Sequence, residues 1–172
     1  MMKLLLFLPL LILLFQPIAH AEIVFNLWGA PAEVRIRVGA AAGITTVTHN
    51  VPATQVGDGT PIAGTPNSIL IEASARRADF FSALFTNFVV SVDSSIPLSN
   101  GTDTISFTNI SWTAQDEDIP SGNFAGLPAQ VILPPTRAFW LVRDWHTFFY
   151  NNTQIVPYGT YTGRVTYTVS VP

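Results

Sequence analysis

The chain has no cysteine, one lysine and few charges of either sign in its 172 residues. Without cysteine there is no disulfide framework, no thiolate zinc site and no cysteine nucleophile. Lys3 is the only charged side chain among the first 21 residues, so the other 151 carry seven arginines against eleven acids. A net-negative body lacks the basic face that displaces counterions from phosphate, which excludes nucleic acid as a partner. Charged residues are 11% of the whole, less than half of the roughly 25% usual in soluble proteins. Long apolar runs are scarce too, and the length suits one domain.

The one long apolar run is 4–15 (LLLFLPLLILLF), behind the positive end Met1-Met2-Lys3. A membrane-spanning helix needs about 20 apolar residues, so twelve are too few. Gln16-Pro17 breaks the run, and Ala19-His20-Ala21 offers small residues where a signal peptidase reads. The expectation is a signal peptide over 1–21, cut after Ala21, and a single domain over 22–172; the alternative is a retained anchor or a buried first helix. No second long apolar run follows, so no stable membrane insertion is expected after cleavage. The product is then exported to the periplasm and the cell surface, or secreted.

Beyond residue 21 the pattern is of strands. Ile23, Phe25 and Leu27 alternate, and so do Val34, Ile36 and Val38, with Glu33, Arg35 and Arg37 on the opposite face. Period two with one apolar and one charged face marks a half-buried strand of an antiparallel sheet. Segment 44–51 (ITTVTHNV) is rich in β-branched residues, which suit a pleated surface. Further strands are expected at 68–73, 85–92, 104–113, 130–133, 139–150 and 160–171, separated by Gly, Pro and Asn-Gly breakers. Segment 73–84 (ASARRADFFSAL) competes as one or two helical turns on a loop. The fold class is therefore all-β: an immunoglobulin-like antiparallel β-sandwich of about seven to nine strands, with or without its final strand.

Patterns that carry chemistry are sparse. Asp144 and His146 share a strand face and, with a serine from elsewhere, would imitate a hydrolase triad; the alternative is a surface pair on an exposed strand face. No GxSxG elbow accompanies them. Asp116-Glu117-Asp118 is either a calcium-binding loop or a solvated turn, without EF-hand spacing around it. Two adjacent acids in one loop do not make the separated pair of a glycosidase. The aromatic run 139–150 is heavily apolar on both faces, as a central strand or one beside a partner; a sugar-binding platform is the alternative. Asn100, Asn109 and Asn151 open N-x-S/T triplets. None of this calls for a cofactor or a metal, and the chain reads as a non-enzyme.

The ends carry the most information. Tyr161, Val165, Tyr167, Val169 and Val171 share one parity in the last run, whose edge is expected to be bare unless another segment returns. At the front, 23–27 is an apolar strand followed by the breaker Gly29-Ala30-Pro31; such a strand frays unless tied into a sheet. Two matched loose ends point to strand exchange between molecules.

In these ends, and in the leader, the chain resembles subunits of chaperone–usher pili, including secreted spore-coat-U-type relatives. That family's C-termini commonly place a glycine fourteen residues from the end and a tyrosine next to last. Gly159 holds the glycine position, and Val171 stands where the tyrosine would be. The middle of the chain is similar only as generic β sequence, and the disulfide of many pilins is missing. The resemblance implies a sandwich lacking its last strand, filled first by a periplasmic chaperone at an outer-membrane usher. The N-terminal extension of a neighbouring pilus subunit then replaces the chaperone. Ile23, Phe25 and Leu27 would be the donor residues, and Gly159, Tyr161, Val165, Tyr167, Val169 and Val171 the accepting edge. The rival is a self-contained secreted sandwich that binds glycan or protein.

Overall fold

A computed structural model describes residues 33–39, 45–76, 87–135 and 141–171. The first strand, β1 (Glu33–Val38), turns Val34, Ile36 and Val38 toward the core, as its alternation predicts. Gly39 ends it at φ 84, where an L side chain is strained and a Cβ would collide with the Thr45 hydroxyl. After the two-residue β2 (Ile62–Ala63) comes β3 (Ile69–Arg76), which buries Ile69, Ile71, Ala73 and Ala75. β4 (Val89–Asp93) buries Val90 and Val92. Leu98–Ser99 (β5) and Thr104–Ile105 (β6) form a small hairpin about Asn100-Gly101, whose Asn100 Oδ1 accepts from the N–H groups of Thr102 and Asp103.

A 3-10 turn at Phe107–Asn109 precedes β7 (Ile110–Ala114), and β8 (Gly122–Asn123) and β9 (Gln130–Leu133) follow. β10 (Leu141–Tyr150) is the longest of the described strands and β11 (Thr166–Ser170) the last.

Two antiparallel layers pack face to face. One has the order β1-β3-β10-β7-β8, with β2 continuing β3 along the far half of β10; the other has the order β11-β4-β9. Counting β1, β3, β4, β7, β9, β10 and β11 along the chain, the first layer holds the first, second, sixth and fourth, and the second holds the seventh, third and fifth. The arrangement is an all-β antiparallel sandwich. Hydrophobic residues of both layers, among them Ile71, Phe88, Val90, Leu133, Val142 and Phe148, form the core between them.

Several expectations are corrected in detail. Residues 73–76 continue β3 as extended chain rather than starting a helix, because Ala73 and Ala75 lie on its buried face; 77–86 lies outside the described residues. The strand expected over 104–113 is broken at Phe107–Asn109, where the Ser106 hydroxyl accepts from the N–H of Thr108 and caps a turn. Of 44–51, the described part has no ladder beyond a single bridge from Thr48 to Thr65. The last strand is shorter than 160–171, since Gly163 crosses tightly over Leu98 and the Phe107 ring. The donor residues Ile23, Phe25 and Leu27, and the leader with them, lie outside the described residues.

Candidate functional site

The two seams of the sandwich differ. Along the seam between β8 and β9 the layers are stitched together. Gln130 donates from Nε2 to the Asn123 carbonyl at 2.8 Å and accepts from the Ala125 N–H at 2.7 Å. Ser94 donates its N–H to the Leu127 carbonyl at 3.0 Å, and its hydroxyl accepts from Gly126 at 3.2 Å. The Phe124 ring closes over Trp112 at 4.9 Å.

On the other side β1 and β11 come within 8 Å of each other, yet among the described residues no ladder joins them. Past the end of β1 opens a cavity of about 530 Å³, between residues 45–49 and 163–167. Core residues Ile69, Ile110, Phe124 and Phe148 line it, with Val38, Val47 and Leu98 on its flanks and Val165 to Tyr167 along the β11 rim. β11 pairs with β4 on one edge; its first two residues, Thr166 and Tyr167, line the groove, and β1 stands beside the strand.

The accepting residues expected from the sequence sort as follows. Tyr161, Val165, Tyr167, Val169 and Val171 turn toward the core, but each remains only partly buried, whereas Val90 and Val92 on the neighbouring strand are sealed. Burial pushes the Tyr167 phenol well above its ordinary range. Gly159 sits on an exposed loop beside Asn100, away from the rim.

His49 also lines the groove, and no pattern in the sequence pointed to it there. Its Nδ1–H donates to the Ile62 carbonyl at 2.9 Å, and its ring lies 6.5 Å from that of Tyr150. Burial lowers its pKa, against the pull of the Ile62 carbonyl.

The pair Asp144 and His146 is not on an exposed strand face. Both are fully buried, at 0% exposure, because β10 turns its even-numbered residues into the core. Asp144 Oδ1 accepts from the N–H groups of Gln115 and Asp116, and Oδ2 from that of Ile119, all at 3.1 Å. The carboxylate thus anchors the acidic loop instead of orienting the imidazole. With Nδ1 of His146 unpartnered, the ring hydrogen sits on Nε2, which donates to the Ile119 carbonyl at 3.2 Å. The imidazole stacks on Trp112, ring centroids 5.9 Å apart. A hydrolase site needs access for substrate, which this pair lacks.

The acidic loop is internally satisfied as well. Glu117, at φ 57, accepts from the Ser121 N–H and hydroxyl, and those bonds hold its carboxyl below the usual range. Among the described residues no group of three His, Cys, Asp or Glu is placed to hold a metal ion. The aromatic strand β10 faces the core with Val142, Phe148 and Tyr150, while Leu141 and Trp145 look outward beside the ion pairs of Glu72 with Arg37 and Arg143. Of the N-x-S/T asparagines, Asn109 is buried and hydrogen-bonded to the Ser106 carbonyl.

Buried His146 and half-buried His49 make stability acid-sensitive. Burial holds the His146 pKa below its ordinary 6.5, although Asp144, the Ile119 carbonyl and Glu117 pull it up. The unfolded chain therefore takes up a proton that the folded one refuses. Stability is full above about pH 6.5 and falls as the pH drops below it. For Asp144, burial works to raise the pKa, but the N–H donors of Asp116 and Ile119 and the neighbouring His146 outweigh it, so the carboxyl lies below 3.8. Its contribution disappears only at lower pH still. Urea unfolding at pH 7.5 and pH 5 should show the loss, and His146→Gln should flatten the slope by up to about 1.4 kcal/mol per pH unit.

Comparison of the chain with protein families, with curated proteins and with solved structures finds no match. The reading of the site rests on its own geometry.

Proposed function

We propose that this protein is a structural subunit of a surface pilus or fimbria that assembles by donor-strand addition. Export through the leader delivers it to the periplasm. There a chaperone fills the groove until an outer-membrane usher brings the next subunit. Segment 23–27 of one copy then lies in the groove of another and ladders onto the free edge of β11. The observation that carries this reading is the asymmetry of the seams. The β8–β9 side is stitched, while the opposite side, past the end of β1, leaves Ile110, Phe124 and Phe148 lining a groove.

The energetics favour an apolar donor. Each ladder hydrogen bond contributes about 0.5–1.5 kcal/mol net. Burying Ile23, Phe25 and Leu27 adds roughly 1.5–3 kcal/mol apiece before ordering costs. Apolar fit therefore selects the partner, and the ladder sets the register.

Phe25→Asp tests the proposal. The variant should stop assembling, as followed by size-exclusion chromatography of the chain 22–172. Its melting temperature should stay within about 4 °C of the parent's, the shift that about 1 kcal/mol produces. Normal assembly by this variant would refute the donor role. A parent chain that remains a soluble monomer, with 23–27 protected from hydrogen exchange, would favour the self-contained sandwich instead.

A further inference from the structure

Asn100-Gly101 is the only asparagine–glycine pair in the sequence, and it stands at the tip of the β5–β6 hairpin. Asn100, Gly101 and Thr102 are all exposed. Gly101 has φ 97, a conformation that L side chains rarely adopt. No heavy atom beyond its chain neighbours lies within 4 Å of where its Cβ would be, so nothing crowds that side of its backbone.

The Asn100 side chain folds back over the turn. Its Oδ1 accepts from the Thr102 N–H at 2.9 Å and from the Asp103 N–H at 2.7 Å. Two donors on one carbonyl oxygen draw electron density from Cγ, and they are already in place for negative charge that develops on that oxygen. The Gly101 N–H donates to the Ser99 hydroxyl at 3.0 Å, which gives its proton a route away from the nitrogen. Nδ2 of Asn100 lies against Gly159, where a Cβ would come within 3.2 Å of it, and that loop is exposed. Electrophile, nucleophile, proton acceptor and leaving group thus meet at one hairpin tip. Asn109 and Asn152, by contrast, are buried and precede Ile110 and Thr153, whose β-branched side chains crowd the nitrogen that would attack.

We infer that Asn100 is a self-modification site, converted to aspartate and isoaspartate by attack of the Gly101 backbone nitrogen. That nitrogen bonds to Cγ of Asn100, and its proton passes to the Ser99 hydroxyl and on to water. Charge collects on Oδ1, beneath the N–H groups of Thr102 and Asp103. The Cγ–Nδ2 bond then breaks, and Nδ2 takes a proton from water and leaves as ammonia. A five-membered cyclic imide remains, and water opens it on either side. Cleavage at Cγ leaves aspartate on an unaltered backbone. Cleavage at the α-carbonyl leaves isoaspartate, whose backbone runs through the side chain and gains one carbon. Water is the only co-reactant, and nothing is oxidised or reduced.

The extra carbon falls inside the hairpin that sets Leu98 in the groove wall and bridges from Ser99 to Thr162. Conversion therefore loosens one wall of the groove. The inference stands whatever the groove binds.

Ageing the chain 22–172 at mildly alkaline pH, folded and in guanidinium chloride, tests it, with aspartate and isoaspartate at position 100 read by peptide mapping. Conversion should be about tenfold faster in the folded chain, less than the roughly 100–1,000-fold of a donor in an enclosed site because this tip is wet. Ser99→Ala should slow the folded chain several-fold and leave the rate in denaturant unchanged. Folded conversion no faster than in denaturant overturns the inference, because the hairpin would then shield the pair, and this comparison needs no variant to fold. A folded Ser99→Ala chain that converts as fast as the parent overturns it too.

Discussion

Asp144→Ala is expected to cost about 3–5 kcal/mol of folding stability, measured by urea unfolding at pH 7.5. The side chain is fully buried and accepts from three backbone N–H groups of one loop. Alanine leaves the N–H groups of Asp116 and Ile119 facing a small hole, while that of Gln115 keeps the Trp145 carbonyl at 3.0 Å. A buried donor without an acceptor costs about 1–3 kcal/mol. Water entering from the loop side relieves part of the sum. Asp144→Asn should cost less, about 2 kcal/mol, because one amide oxygen still accepts while its NH₂ opposes the remaining donors. A loss below 1 kcal/mol for the alanine variant would show that loop 115–119 finds other partners.

Trp112→Ala should be of similar size, about 3–5 kcal/mol, typical of emptying a buried aromatic site. The indole is 3% exposed, donates from Nε1 to the Pro120 carbonyl at 2.9 Å, stacks on His146 and lies against Phe124 and Gly122. Because Trp112 and Asp144 hold the same loop, at Pro120 and at 115–119, the variants should not add. Once one anchor is gone the loop is already loosened, and the double variant should fall short of the summed losses by about 1 kcal/mol or more. Strict additivity would mean that the two grips are independent.

Alternation was the most legible feature of the chain. Val34, Ile36 and Val38, the odd residues of β3 and the even residues of β10 all face the core as their period requires. The pattern also placed Asp144 and His146 on one face. It could not say which face is buried, because the covering loop comes from 25 to 29 residues earlier in the chain. Polar side chains read in isolation suggest solvent, and here backbone N–H groups take the place of water. Two-residue strands such as β2 and β8 carry no periodicity of their own. The Ser106 cap was written in the sequence, but a β-branched and aromatic neighbourhood hid it.

The groove was legible only in part. The parity of Val165, Tyr167 and Val169 is that of their inward faces, while the front apolar segment 23–27 lies outside the described residues. That β1 stands beside β11 is a non-local fact, set by how β3 and β4 carry the chain from one layer to the other. His49 reaches the groove for the same reason. It lies in a stretch tied down by one bridge, Thr48 to Thr65, rather than by a ladder.

The clasp that Gln130 makes across the β8–β9 seam limits what strand addition can build. With that side fastened, the proposed strand addition would use the groove on the opposite side alone among the described residues, and growth by that route would yield an unbranched thread whose two tips differ.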